Sequence, residues 1–389
     1  MTPSRWTGRP AWVEVDLDAI AANVAEARRR LASHTALGVV VKANAYGHGV
    51  LAVAEAALAA GATWLVVNAA DEALQLRRAG FQAPVLIVGF TAPGEAAAIV
   101  DSRVTPSLTA AAQIEALTAA ARAAGITQPV HVKVDTGLGR GGLLPDEVLP
   151  FVRKVVAVGL DFEGLFTHFA VADSADKSHS RSQLQRFHAV LAELDAAGMR
   201  PRIRHAANSA AVLDLPDAHF DLVRYGIALY GLDPSDEVGP AFPLRPALSL
   251  KGGIVRLRTL PAGATVGYGC TFVATRPTKV ALVPIGYADG LRRGLSNQGF
   301  ALVRGSRCPI IGRVSMDQCS LDVTSVPDVS EGDEVVFVGT QNDATVTADE
   351  VAALLDTINY EVVCGLGPRL PRVYLRDGRI ASVYKALET

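Results

Sequence analysis

The sequence predicts an α/β chain, an eight-stranded βα (TIM-type) barrel followed by a mainly β C-terminal domain, and three observations carry that prediction. The 389 residues exceed one ordinary domain and suit a barrel of about 250 residues with a smaller companion. From Leu37 to Tyr225, short β-branched runs alternate with Ala- and Leu-rich stretches of helical period, the pattern of repeated βα units. After Gly231 that texture ends, and short β-rich runs separated by Gly and Pro replace it.

Taken in order, AWVEVDLDAI shows strand alternation and then an Asp placed to cap a helix, so a strand at about 11–16 is expected to join the β domain. Strand candidates follow at Gly38 to Lys42, Trp64 to Val67, Val85 to Gly89, Val104 to Leu108, Val130 to Asp135, Phe162 to His168, Ile203 to Ala206 and Leu222 to Tyr225. Between them Val50 to Ala60 and Thr109 to Ala124 read as helices. Eight such units close a barrel, although an open doubly wound sheet has the same count. The cluster LDPSDEVGPAFPLRP marks a boundary, giving a barrel over 12–240 and a β-rich domain over 241–389. In the second part LSLKGGIVRLRTL, KVALVPIGYADG, FALVRG and DEVVFVG read as strands of an antiparallel sheet or small barrel, and only Thr347 to Leu355 looks helical.

Composition narrows the classes of function. Half of the residues are hydrophobic and 20% are charged, enough for a large core and unlike a disordered chain. A net charge of −2, with both signs interspersed, leaves no footprint for nucleic acid or anionic lipid, so small polar partners fit better. MTPSRWTGRP has no apolar run behind its charges, and no stretch approaches the roughly 18 apolar residues of a membrane span, so a cytoplasmic protein is expected. Cys270, Cys308, Cys319 and Cys364 lie far apart without zinc-type pairs and read as reduced thiols. His168, His179 and His188 lack an i, i+4 pair or accompanying thiolates, so no metal site is expected.

In a βα barrel, reactive groups are expected where strands end. GVVVKANAYGHG carries Lys42 out of an apolar run into a loop with Tyr46 and two glycines. Burial disfavours the ammonium and yields the amine that Schiff-base chemistry needs; the bland alternative is a packed stem whose ammonium reaches solvent. GLGRGG, Gly137 to Gly142, fits GxGxxG after a strand, but it falls in the fifth unit and Pro145 follows without a helix opening on the third glycine. A nicotinamide or flavin site is therefore not expected.

VKANAYGHG is similar to the signature with which alanine racemases attach pyridoxal phosphate, and the resemblance continues along nearly the whole chain. VKVDTGLGRGG, FTHFA, HAANSAA, VRYGIALYG, VGYGCTF, IGYADG, GRVSMDQ and INYE each resemble the family's run at the corresponding place. The resemblance implies an isomerase that uses pyridoxal 5'-phosphate to interconvert L-alanine and D-alanine by two bases, supplying D-alanine for peptidoglycan. It also implies a homodimer with shared active sites. A catabolic role would use the same residues.

By the same resemblance, Lys42 is the cofactor lysine and one base, and Tyr268 of VGYGC is the other, reaching the facing site from the partner subunit. Inverting a stereocentre removes a proton from one face and delivers one to the other, which a single base does not readily do. Tyrosine, with a reference pKa of about 10, needs a nearby cation for this work. Without the resemblance Tyr268 would be a turn aromatic. Arg224 of LVRYG resembles the arginine facing the pyridine nitrogen, where a group that keeps its proton makes a weaker electron sink and restricts the chain to racemisation. His168 resembles the histidine bracing that arginine; alone it would be read as structural. Arg140 resembles the arginine near the cofactor phenolate and substrate carboxylate. Lys133 resembles a lysine often carbamylated to hold that arginine; unmodified, it is an ammonium leaving a half-buried strand.

The phosphate falls to Tyr46, to Ser209 of ANSAA and to the backbone of Gly226 and Ile227, with Asn208 also against the cofactor. Ser209 would begin a short helix or, blandly, be its N-cap. The substrate side falls to Met316, Asp317 and Tyr287 from the partner's β domain, Asp317 being the looser assignment because such carboxylates accept local turn bonds. Two positions depart from the pattern. Ser315 stands where many relatives carry cysteine. Pro368 of CGLGPRLPR stands where some place a tyrosine that contacts the phosphate and narrows the entrance, so a serine-accepting or broader racemase is the alternative. A decarboxylase of the same plan would need an acidic residue in place of Arg224 and a glycine-rich phosphate loop. A non-catalytic pyridoxal-phosphate carrier would lack the β domain and Tyr268.

Overall fold

The computed structural model describes residues 9–238 and 243–387. Most of MTPSRWTGRP and residues 239–242 of the Pro-rich linker lie outside the described residues. The chain forms two units, one of the residues up to Ala19, Tyr46–Gly49 and the residues from Pro246 onward, the other of Ile20–Ala45 and Val50–Arg245. Strand β1 (Ala11–Asp16) belongs to the first of these.

The second unit is the barrel. Its eight parallel strands are β2 (Ala36–Val40), β3 (Trp64–Val67), β4 (Val85–Ile87), β5 (Thr105–Leu108), β6 (Pro129–Lys133), β7 (Asp161–Phe166), β8 (Ile203–His205) and β9 (Leu222–Tyr225). They lie in the order β8-β7-β6-β5-β4-β3-β2-β9. Gly38 sits opposite Trp64 on one side and Arg224 on the other. Asp221 N–H donates to Arg204 O at 3.1 Å and Arg224 N–H to Ala207 O at 3.0 Å, which joins the two edges and rules out the open doubly wound sheet. β4 and β5 are buried at every residue, as strands covered on both faces must be.

Helices run between the strands. In Pro145–Ala157 the buried side chains Val148, Phe151, Val152 and Val155 recur at helical spacing, each worth about 1.5–3 kcal/mol on burial. Proline opens this helix, and Glu147 accepts the Leu144 N–H at 2.7 Å. Ala111–Ala124 starts two residues later than the Thr109 read from the sequence, because Gln113 Oε1 accepts the N–H groups of Thr109 and Ala110. It stops at Gly125, whose φ of 68° lies in the left-handed region that glycine enters without the cost of a Cβ. No helix among the described residues is long and apolar enough to cross a membrane.

The first unit is mainly β. Strands β10 (Leu248–Gly253), β11 (Arg256–Leu260), β12 (Thr265–Val266), β13 (Phe272–Val273), β14 (Thr278–Val283), β15 (Phe300–Val303), β16 (Ser306–Pro309), β17 (Cys319–Asp322), β18 (Glu334–Gln341), β19 (Ala344–Val346), β20 (Arg372–Arg376) and β21 (Arg379–Tyr384) follow the barrel. The main sheet has the order β16-β15-β18-β10-β1-β20-β21, with β19 on β18. β1 is antiparallel to β10 and parallel to β20, so the sheet is mixed where the sequence suggested an antiparallel one. Asp16 at the end of β1 accepts the N–H groups of Asp18 and Ala19 and so starts the next helix. Ala348–Leu354 is helical with Thr347 as its cap, and a second helix, Asn359–Cys364, has six residues, too few to show a period in sequence.

Candidate active site

β2 stops at Val40, short of the expected Lys42, because the chain then turns left-handed. Ala43, Asn44, Ala45 and Tyr46 have φ of 51°, 53°, 53° and 50°. Each non-glycine residue there costs roughly 1–2 kcal/mol, so the turn persists only where its surroundings over-determine it. Glu72 supplies part of that restraint: one carboxylate oxygen accepts Ala43 N–H at 2.6 Å, the other Asn68 and Ala69 N–H at 2.8 and 3.1 Å. The Asn44 side chain accepts Val50 N–H at 2.9 Å, tying the turn to the helix that follows. Lys42 stands half-buried at the start of this turn.

Arg224 is buried on β9. NH1 donates to His205 Nδ1 at 2.7 Å; NH2 donates to Thr167 O at 2.8 Å, Ala206 O at 2.9 Å and His168 Nδ1 at 3.1 Å. Burial first, and then the Arg224 charge, hold both histidines well below the ordinary imidazole range, so they accept as neutral rings. Burial brings Arg224 itself down to about 9, still a cation near neutrality. His168 thus braces Arg224, and His205, which the sequence reading passed over, braces it more closely. The chain of contacts continues from His205 Nε2 to His131 Nδ1 at 2.8 Å and from His131 Nε2 to Glu163 at 3.3 Å. Gly164 makes room for it, since a Cβ there would lie 2.5 Å from the His131 ring.

Lys133 lies 6.0 Å from the centre of the Phe166 ring, and Arg224 lies over the same ring at 5.4 Å. The Lys133 ammonium is disfavoured by burial first and then by the charges of Arg140, Arg224 and Lys42, partly offset by Asp135. Lys42, Lys133, Arg140 and Arg224 therefore form one cationic cluster. Arg140 is exposed, on a loop wound around Asp135, whose carboxylate accepts the N–H groups of Gly137, Leu138, Gly139 and Arg140. Those donors are what a dinucleotide pyrophosphate would have needed from GLGRGG.

The cap of the helix Ser209–Asp214 is Asn208, whose side chain accepts Ala211 N–H at 3.1 Å. Ser209 is its first residue, and its hydroxyl oxygen accepts Gly226 N–H at 2.8 Å and Ala228 N–H at 3.4 Å, keeping its own hydrogen to donate. The backbone of Gly226 and Ile227 thus lies directly against the Ser209 hydroxyl, Ile227 falling between the two amides bound to it.

Tyr46, Tyr268, Tyr287, Met316 and Asp317 belong to the β unit. Tyr46 is buried, and burial, followed by the nearby Cys364, raises its hydroxyl above the ordinary range. Tyr268 is 72% exposed, on a tight turn between Gly267 and Gly269, both at positive φ. Tyr287 and Met316 are also exposed, and their loops are joined by Tyr287 N–H to Ser315 O and Ala288 N–H to Met316 O, each at 3.0 Å. Asp317 pairs with Arg369 at 2.8 Å, where a local turn bond is the other expectation, and Arg369 reaches the buried Asp289 at 3.3 Å. Among the described residues no group of His, Cys, Asp and Glu could hold a metal ion.

The barrel residues fit pyridoxal phosphate by their chemistry: a lysine amine on a restrained turn, a cationic cluster for its anionic groups, and a buried guanidinium whose bonds leave Nε–H uncommitted among the described residues. Known proteins resemble the chain along nearly its whole length. Residues 15–234 match the family model of the alanine racemase N-terminal domain, and residues 247–374 match that of the C-terminal domain. The alanine racemase of Desulfosudis oleivorans is 48% identical over 375 residues, 94% of this chain and 96% of that protein. A crystal structure of Bacillus anthracis alanine racemase with bound L-Ala-P superposes with a TM-score of 0.94 at 37% identity, covering 98% of this chain and 99% of that one. That of Bartonella henselae alanine racemase with covalently bound pyridoxal phosphate has a TM-score of 0.85 at 30% identity, covering 95% and 100%. Matched by both domain models and by relatives along nearly its whole length, the chain belongs to the alanine racemase family.

Proposed function

We propose that this chain interconverts L-alanine and D-alanine with pyridoxal phosphate held on Lys42, as a homodimer in which Tyr268 of the partner subunit completes each site. The carrying observation is the buried Arg224 held by His205 and His168, with Lys133 beside the same Phe166 ring. When bound, pyridoxal phosphate supplies an electron sink that makes the α hydrogen of an amino acid removable as a proton.

The protein's part is to hold that proton on either face. The Lys42 amine serves one face and the tyrosine hydroxyl the other. Arg224 would hold the ring by its pyridine nitrogen and, keeping its own proton, would not strengthen the sink. Ser209, with Asn208 capping the same helix, and Tyr46 offer hydrogen bonds to the phosphate, with Ile227 beside them. Arg140 attracts the substrate carboxylate, assisted by Met316 and Tyr287, while Asp317 acts through Arg369. Lys133, its ammonium already disfavoured by burial and then by Arg140, Arg224 and Lys42, is suited to become a carbamate that would pair with Arg140. The exposure of Tyr268, Tyr287 and Met316 supports a partner over these loops. The free thiols fit a cytoplasmic location.

The test is to record the visible absorbance of the purified protein before and after borohydride, and to follow D-isomer formation from L-alanine and L-serine separately. A chromophore fixed to Lys42 and D-alanine formed much faster than D-serine are expected. Comparable rates would broaden the substrate and implicate Pro368, whereas a chromophore without racemisation would overturn the role of Tyr268.

A further inference from the structure

Within the β unit, the segment Tyr46–Gly49 lies in a close-fitting seat. Gly47, at φ +82°, lies so close to the helix Asn359–Cys364 that a Cβ would meet Val363 O at 2.3 Å. At Gly49, φ +100°, a Cβ would meet the Tyr374 hydroxyl at 1.8 Å. Arg372 enters the same seat from β20 and is only 3% exposed. Its Nε donates to Gly47 O at 3.0 Å, NH1 to Gly367 O at 2.6 Å and Leu370 O at 2.7 Å, and NH2 to Leu366 O at 2.8 Å.

A buried guanidinium whose donors go to main-chain carbonyls holds backbone in place, and a planar fork fixes several carbonyls at once where an ammonium cannot. The two stretches it ties together are informative. One is the residue after Tyr46. The other brackets Pro368, which has no N–H to offer an anion. Tyr46, the residue the proposed function gives to the phosphate, lies in a left-handed conformation, φ 50°, that its own side chain disfavours.

We propose that Arg372 is a positioning residue for the phosphate monoester of the cofactor, acting through the Gly47 carbonyl to fix Tyr46. This rests on the proposed function. The test titrates cofactor-free protein with pyridoxal phosphate and with pyridoxal, which lacks the phosphate, following absorbance and thermal midpoint. Arg372→Lys is expected to weaken pyridoxal phosphate about tenfold or more while changing pyridoxal less than about twofold. Tyr46→Phe should show the same selectivity, and the double variant should bind no more weakly than Tyr46→Phe alone. If Arg372→Lys does not fold, Gly47→Ala, which displaces the carbonyl from Val363 and hence from Arg372, is read in the same assay. Equal weakening of both ligands, or losses that add in the double variant, would overturn the inference. Wild-type protein that binds pyridoxal phosphate without racemising alanine would instead overturn the proposed function and leave the Arg372 result to stand or fall on its own.

Discussion

Arg224 is held by imidazoles and carbonyls, and that choice of partners has a pH signature. Burial keeps His168 and His205 below the usual imidazole range, so the native chain holds them neutral where the unfolded chain, near the reference value of about 6.5, begins to take up protons. Their stabilisation is complete above about pH 6.5 and is lost as pH falls below it. Denaturant titrations of His205→Gln are expected to show a shallower loss of stability between about pH 6.5 and 5 than wild type; an unchanged slope would contradict the assignment. Arg224→Glu is expected to raise transamination relative to racemisation, measured as pyruvate formed from alanine, and no increase would count against the restricting role of Arg224. At this scale motifs make Lys42, Arg224 and Tyr268 legible. His205 sits in HAANSAA in full view, but a strand-end histidine is chemically ambiguous until its neighbour is known. Glu72 and Asp135 are harder still, because their partners are backbone amides and leave no residue pattern.

The barrel strands were legible because apolar runs of the right length recur between helical stretches, and their ends were not. The apolar run extends to Lys42 but the strand stops at Val40, since nothing in the composition of KANAY announces four left-handed residues. That turn depends on distant partners, and Glu72→Ala is expected to lower cofactor occupancy, read by absorbance after dialysis, while the thermal midpoint changes little. Equal occupancy would remove Glu72 from the restraint. Packing between β6 and β7 makes a second demand: Gly164→Ala puts a methyl 2.5 Å from the His131 ring. It should cost about 1–3 kcal/mol in chemical denaturation, as overpacked cores do, and a loss within error of zero would mean that the ring is free to move.

For the whole molecule, the sequence texture separated a βα part from a β part, and the early strand β1 does pair within the β unit, between β10 and β20. What composition does not reveal is a partner subunit. Tyr287 and Met316 lie far apart in sequence and come together only when the loops around Gly286 and Ser315 meet, while Tyr268 is exposed on its own turn. The central claim, that each site takes Lys42 from one subunit and Tyr268 from the other, is tested most directly by mixing Lys42→Ala and Tyr268→Phe chains, each nearly inactive alone, and refolding them together. Random pairing leaves one intact site in each mixed dimer, so racemisation should return to about a quarter of the wild-type rate. Mixed dimers that form but stay as inactive as their parents would contradict it.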